Sequence, residues 1–157
     1  MIVIDATNII LGRMASFAAK QALLGETVEI INSGKAIVTG NKKRTLKDQL
    51  EKLERGSSTR GPFTFKRTDR FVKRVIRGML PYNKENGKKA VKRIRCYVGV
   101  PDKLKDAKLQ NLKGMTLSKL TVVKYTTVKE ICNVIGGRVW KQLLRQVKEK
   151  GQSQEQP

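Results

Sequence analysis

The first 32 residues constrain the fold most. "IVIDA" (2–6) is a short unbroken apolar run closed by Asp5, the pattern of a strand covered on both faces. "LGRMASFAAKQALLG" follows, with Arg13, Ser16 and Lys20 at i, i+3 and i+7 as one narrow polar stripe. Met14, Phe17, Ala18, Ala22 and Leu23 fill its other faces, which predicts a largely buried helix stopped at Gly25. "TVEIIN" (27–32) reads as a second strand and "KAIVTG" (35–40) as a third. Strand, helix and strand within so short a span make a βαβ unit, which is right-handed and parallel in nearly every known case.

Beyond this unit the pattern is helical and increasingly basic. "NKKRTLKDQLEKLERG" (41–56) sets Leu46, Leu50 and Leu53 on one side, with Lys47–Glu51 and Asp48–Lys52 at i,i+4. "GSSTRGPFTFKR" (56–67) is a loop by its Gly, Ser and Pro content. A helix is predicted to start near Thr68, an N-cap residue type, with Asp69 in its first turn. On that helix Arg70, Lys73, Arg74 and Arg77 fall within roughly 100° of arc, and Val72, Val75, Ile76 and Met79 occupy the opposite arc. A short helix is expected near 84–92 after Pro81. "IRCYV" (94–98) alternates Ile94, Cys96 and Val98 against Arg95 and Tyr97 as a strand would.

Residues 102–120 resist assignment. "LTVV" (120–123) reads as a short strand, "TTVKEICNVIGG" (126–137) as a helix closed by two glycines, and "VWKQLLRQVKEK" (139–150) as an amphipathic helix carrying Trp140, Leu143, Leu144 and Val147. There is no internal repeat. Residues 1–150 are expected to form one domain and 151–157, "GQSQEQP", a disordered polar tail.

Charge decides what such a domain is for. The 157 residues hold 34 Lys+Arg against 13 Asp+Glu and no His, a net charge of +21. Solubility needs a net charge of only about 2–8. The excess is also uneven: residues 1–41 are neutral, while 42–99 carry nineteen bases against five acids. Self-repulsion of this size is tolerated when a polyanion neutralises it. The constellation is Lys42, Lys43, Arg44, Arg60, Lys66, Arg67, Arg70, Lys73, Arg74, Arg77, Lys84, Lys88, Lys89, Lys92, Arg93 and Arg95. Its many arginines suit phosphate, which they grip with two parallel donors. Arg13 opposes the dipole at its helix start and adds a hint of phosphate contact. Aromatics are only 5% of the chain, which disfavours a base-stacking platform and favours backbone and shape recognition of folded RNA.

Other chemistries find little support. Cys96 and Cys132 lie in separate apolar runs and read as reduced, buried thiols of a cytosolic protein. Without histidine they cannot complete a zinc site. No window is long and apolar enough for a transmembrane helix, and "MIVIDA" is not a signal sequence. No G-x-G-x-x-G is present, and "TGNKKRT" is not a Walker loop. Asp5 reads as a turn residue and Gly136–Gly137 as a helix stop. No catalytic residue, metal ligand, cofactor or small-molecule substrate is expected. The alternative, a nucleotide-using or RNA-modifying α/β enzyme, lacks both a glycine-rich loop and an acid/base set. A membrane-surface role anchored by 139–150 fits poorly, because the charge surrounds a domain-sized core.

Three blocks carry a resemblance: "VIDATNIILGRMAS", "INSGKAIVTGNK" and "VIRGMLPYNKENGKKAVKRIRCYVG". In this order they resemble the large-subunit ribosomal protein L-thirteen family, over most of residues 3–99. Gly78-Met79-Leu80-Pro81 followed by Gly87-Lys88 is the most specific stretch. The basic helix, the continuation past residue 100 and the lack of His are closer to the archaeal and eukaryotic branch, while Cys96 departs from the small aliphatic residue expected there. The resemblance implies a three-layer α/β/α single domain with a short, mainly parallel sheet. It also implies a place on large-subunit ribosomal RNA beside neighbouring ribosomal proteins in the cytoplasm, early binding in subunit assembly, and no catalysis. By family position Arg77, Gly78, Pro81, Lys84, Lys88 and Lys89 would lie against RNA.

Overall fold

A computed structural model of the chain describes residues 1–55, 59–61, 63–110, 112, 114–117 and 124–136. The elements are β1 (Ile2–Asp5), α1 (Leu11–Leu23), β2 (Val28–Ile31), β3 (Ile37–Thr39), α2 (Lys42–Glu54), α3 (Thr68–Gly78), α4 (Glu85–Arg93), β4 (Ile94–Cys96), β5 (Tyr125–Thr127) and α5 (Val128–Ile135). Single 3-10 turns occur at Ser33–Lys35 and Asp102–Leu104.

The parallel sheet is ordered β1-β2-β4, so the initial βαβ unit forms as its sequence requires. Its register aligns Ile4, Ile30 and Cys96 across the three strands. Strand side chains alternate between faces. Ile2, Ile4, Val28, Ile30 and Ile94 therefore join Met14, Ala18 and Ala22 of α1 and Val72 and Ile76 of α3 in the main core. α1 packs against both α3 and α4 on that side. The other face gathers a smaller cluster of Val3, Ile31 and Leu104, with Tyr97 and Ala107 against it. Among the described residues this outer layer is thin, a 3-10 turn and extended chain.

Several local expectations change in three dimensions. Tyr97 follows the expected alternation onto the smaller cluster, its amide still donating to the Ile30 carbonyl at 2.8 Å, but Val98 is exposed and does not join Ile94 and Cys96. Phe17 is only half-buried and Leu23 is exposed, leaving the deep contacts of α1 to its alanines, Leu11 and Met14. α2 forms where the leucine spacing indicates, yet it buries no residue: Leu46 and Leu53 are half-covered and Leu50 is exposed. Arg67, not Thr68, is the N-cap of α3; Thr68 is its first helical residue, with a buried hydroxyl that has no hydrogen-bond partner among the described residues.

β3 does not extend the parallel sheet. It pairs antiparallel with β5, Ile37 opposite Thr127 and Thr39 opposite Tyr125. "TT" at 126–127 is therefore strand, a state that suits β-branched residues. α5 begins only at Val128, where the Thr127 hydroxyl accepts a hydrogen bond from the Glu130 amide at 3.3 Å. Gly136 caps that helix as expected. "LTVV", Gly137, the Trp140 segment and the polar tail lie outside the described residues.

Both cysteines are free, Cys132 buried and Cys96 half-buried. Burial pushes the Cys96 thiol up to about 12 against the pull of the Lys73 ammonium, with the Asp69 carboxylate adding to the rise. Burial, again helped by Asp69, takes Cys132 to about 11. Cys132 is thus buried as the sequence indicates, and Cys96 is less enclosed than expected.

Candidate nucleic-acid interface

α3 presents its cations on one side because its two sides are so unlike. Val72 and Ile76 are fully enclosed, with Phe71 and Val75 half-buried beside them. Arg70, Arg74 and Arg77 are then left exposed and Lys73 half-buried. Met79, assigned to the apolar arc, is exposed where the helix ends. Among the described residues none of these four cations has a carboxylate within ion-pair distance.

Two of them are held by aromatic rings. Arg74 donates to the Phe63 carbonyl oxygen at 2.8 Å, and its guanidinium lies 5.6 Å from the centre of the Phe65 ring. The Arg77 guanidinium lies 5.0 Å from the centre of the Tyr82 ring. Both distances suit a cation–π contact. Phe65, Tyr82 and the four cations line one notch of about 190 Å³.

The turn after α3 is tightly built. Leu80 is buried, the Tyr82 amide donates to the Leu80 carbonyl at 2.7 Å, and the Lys84 amide donates to the Pro81 carbonyl at 3.0 Å. α4 crosses this turn at Gly87, where a Cβ would collide with the Pro81 carbonyl group. A Cβ on Gly78, by contrast, would meet nothing within 4 Å. Gly78, Pro81, Lys84, Lys88, Lys89 and Lys92 are all exposed, and Lys89 sits 3.7 Å from Glu85.

A second group stands at the start of α2, where Lys42, Lys43 and Arg44 are exposed in a first turn without an acid. Cations there oppose the helix dipole, and an external anion would relieve the conflict. Lys42 is partly answered by Glu130 at 3.2 Å. A third group lies at the start of α3: Lys66 and Arg67 join Lys35 and Lys129 around a cavity of about 520 Å³. Arg67 also holds Asp69 through two donors, at 3.2 and 2.9 Å. Arg60 is exposed on the preceding loop.

The remaining basic positions have internal partners. Arg13 is exposed and donates to the Gly114 carbonyl oxygen at 3.0 Å. Half-buried Arg93 donates to the Ala22 carbonyl oxygen at 3.2 Å and ties α4 to α1, while Arg95 stands 3.8 Å from the buried Glu29. Sequence reasoning missed Lys35, Lys129, Phe65 and Tyr82. The Lys of "SGK" and the Tyr beside Pro81 are visible in sequence, but each gains meaning only from what folds against it.

Among the described residues no catalytic set accompanies this surface. Asp5 is a turn residue, accepting from the Thr7 amide at 3.0 Å, the Thr7 hydroxyl at 2.8 Å and the Asn32 side chain at 3.0 Å. Burial alone would raise its pKa. The hydrogen bonds from Asn32 and Thr7, with the Lys35 charge, outweigh that and hold it below the usual carboxylate value. Among the described residues no three His, Cys, Asp or Glu side chains could hold a metal, and no helix is long and apolar enough to cross a membrane.

The sequence model of the family described as "Ribosomal protein L13" matches residues 1–103. The chain belongs to this family. A "Large ribosomal subunit protein uL13" of Methanosarcina barkeri is 44% identical over 139 residues, covering 88% of this chain and 99% of that protein. The protein of the same name from Methanopyrus kandleri is 42% identical, covering 85% and 86% respectively. That of Methanococcus maripaludis is 39% identical, covering 88% and 99%. The similarity to archaeal proteins accords with the expected branch. The family match takes in α3, the Gly78–Pro81 turn and α4 in full. The L13-family relatives align well beyond residue 103, so their likeness extends past the matched segment.

Proposed function

We propose that this chain is a structural component of the large subunit of the cytoplasmic ribosome, binding large-subunit ribosomal RNA beside neighbouring ribosomal proteins and supporting subunit assembly. The observation that carries this reading is α3. Its inner side is locked into the core, while its outer side presents four cations without carboxylate partners among the described residues. Membership of the family and the ribosomal names of its relatives supply the rest. The chain is not an enzyme; its family is a structural one.

The contacts proposed for RNA are Arg70, Lys73, Arg74 and Arg77 on α3, then Gly78, Pro81 and Lys84 on the turn and Lys88, Lys89 and Lys92 on α4. Lys42, Lys43 and Arg44 form a second footing, and Arg60, Lys66 and Arg67 a third. Each phosphate contact releases counterions, so affinity should fall steeply with salt. Association with large subunits in a cell lysate, retained through moderate salt washes of a sucrose-gradient fraction, is the expected result. Recovery of the protein wholly in the ribosome-free fractions would overturn the reading.

A further inference from the structure

We infer that the notch between Phe65 and Tyr82 takes a single unstacked RNA base, with its flanking phosphate held by Arg70 and Arg77; this rests on the RNA-binding reading above and deepens it. The chain is poor in aromatics, yet two rings, Phe65 at 37% and Tyr82 at 44% exposure, converge on the cationic side of α3. A solubilising or purely phosphate-binding surface has no need of exposed rings. Here each ring is overlain by an arginine, Arg74 on Phe65 and Arg77 on Tyr82, so both are held in position before any ligand arrives. Arginine planes and aromatic rings are the two kinds of surface on which proteins stack extruded RNA bases.

The chemistry of the lining is graded to match a nucleotide. Val91 contributes an apolar wall, the rings and guanidinium planes offer stacking faces, and Arg70 and Lys73 add cations without carboxylate partners among the described residues. The notch of about 190 Å³ has room for one planar ring system. The low aromatic content argues against an extended stacking platform. One base needs only this pair.

The test compares two 3′-fluorescein-labelled strands on the full-length protein by anisotropy: octauridylate, and an eight-unit abasic ribose-phosphate strand. The wild type should bind the base-containing strand about five- to a hundredfold more tightly, the range expected of one stacked base. Phe65→Leu/Tyr82→Leu, which keeps apolar bulk and removes both rings, should bring the ratio to about one without weakening the abasic strand. Equal affinity of the wild type for the two strands, or an unchanged ratio in the variant, overturns the inference. So does competition by free uridine monophosphate at the strand's own affinity, which would make this a mononucleotide site. Failure here with large-subunit association intact sinks only the notch, whereas loss of that association sinks the ribosomal reading itself.

Discussion

Gly87 lies against the Pro81 carbonyl so closely that a Cβ on it would stand 2.5 Å from the carbonyl carbon and 3.0 Å from the Tyr82 nitrogen. Those atoms are backbone and cannot swing aside. Gly87→Ala should therefore push α4 off the turn and cost about 1–3 kcal/mol or more, as overpacking does. Chemical denaturation of the two proteins measures it, and an unchanged midpoint would refute the close approach.

Gly78 poses the reverse case, since the space around it is open and its backbone is helical. Alanine there should stabilise the free protein by up to about 1 kcal/mol, because glycine weakens helices by that order. We expect the same variant to bind large-subunit ribosomal RNA more weakly, since Gly78 is one of the proposed RNA contacts. Thermal unfolding and a filter-binding assay separate the two effects.

The two sides of α3 should respond oppositely. Ile76→Ala empties a fully buried site and should cost about 2–5 kcal/mol. Arg70→Gln with Arg77→Gln should cost no more than about 1 kcal/mol, the Arg77–Tyr82 contact included. It should also flatten the log–log salt dependence of RNA binding by roughly 0.7–0.9 for each phosphate no longer neutralised. Arg74→Gln is expected to differ from both, since it also releases the Phe63 carbonyl oxygen.

The thiols give a test in pH. In the folded protein Cys96 and Cys132 ionise only near 12 and 11, above the ordinary thiol value of 9.0. Their protonated form thus contributes stability that is complete below pH 9.0 and is lost as pH rises through the folded values. At pH 8 a disulfide reagent should label neither cysteine in the native protein and both in guanidinium. Rapid labelling of the native protein would contradict the burial.

Asp5 gives the opposite sign. Its lowered carboxyl contributes stability above the usual carboxylate value, and that contribution disappears as pH falls through the folded one. Asp5→Ala, which strands the Asn32 and Thr7 donors, should cost roughly 1–3 kcal/mol at neutral pH and nearer nothing in acid. Urea midpoints taken from roughly pH 2 to about pH 7, a span that brackets ordinary carboxylate titration, record the difference.

Much of this was legible because it is local. The βαβ start follows from apolar runs and one helical period, and α3 shows its two sides in eleven residues. What escaped is set by distant parts of the chain. The β3–β5 ribbon joins two three-residue strands, too short for any periodic signal, across a long stretch of sequence. The leucines of α2 mark an apolar stripe, but spacing says nothing of whether another element arrives to cover it. The interface divides the same way. Its charge is written in composition, while the arginine–ring contacts depend on a loop and a turn meeting across α3.

The β3–β5 pairing also sets a timetable for a chain emerging from synthesis. Its parallel sheet has all three strands once Cys96 is made, and the basic span from Lys42 to Arg95 is by then complete. Ile37 must still wait for Thr127 before its strand edge is matched. A half-made copy thus owns its polyanion-seeking surface before it can close its own ribbon, and RNA met at that stage would shelter an unfinished protein.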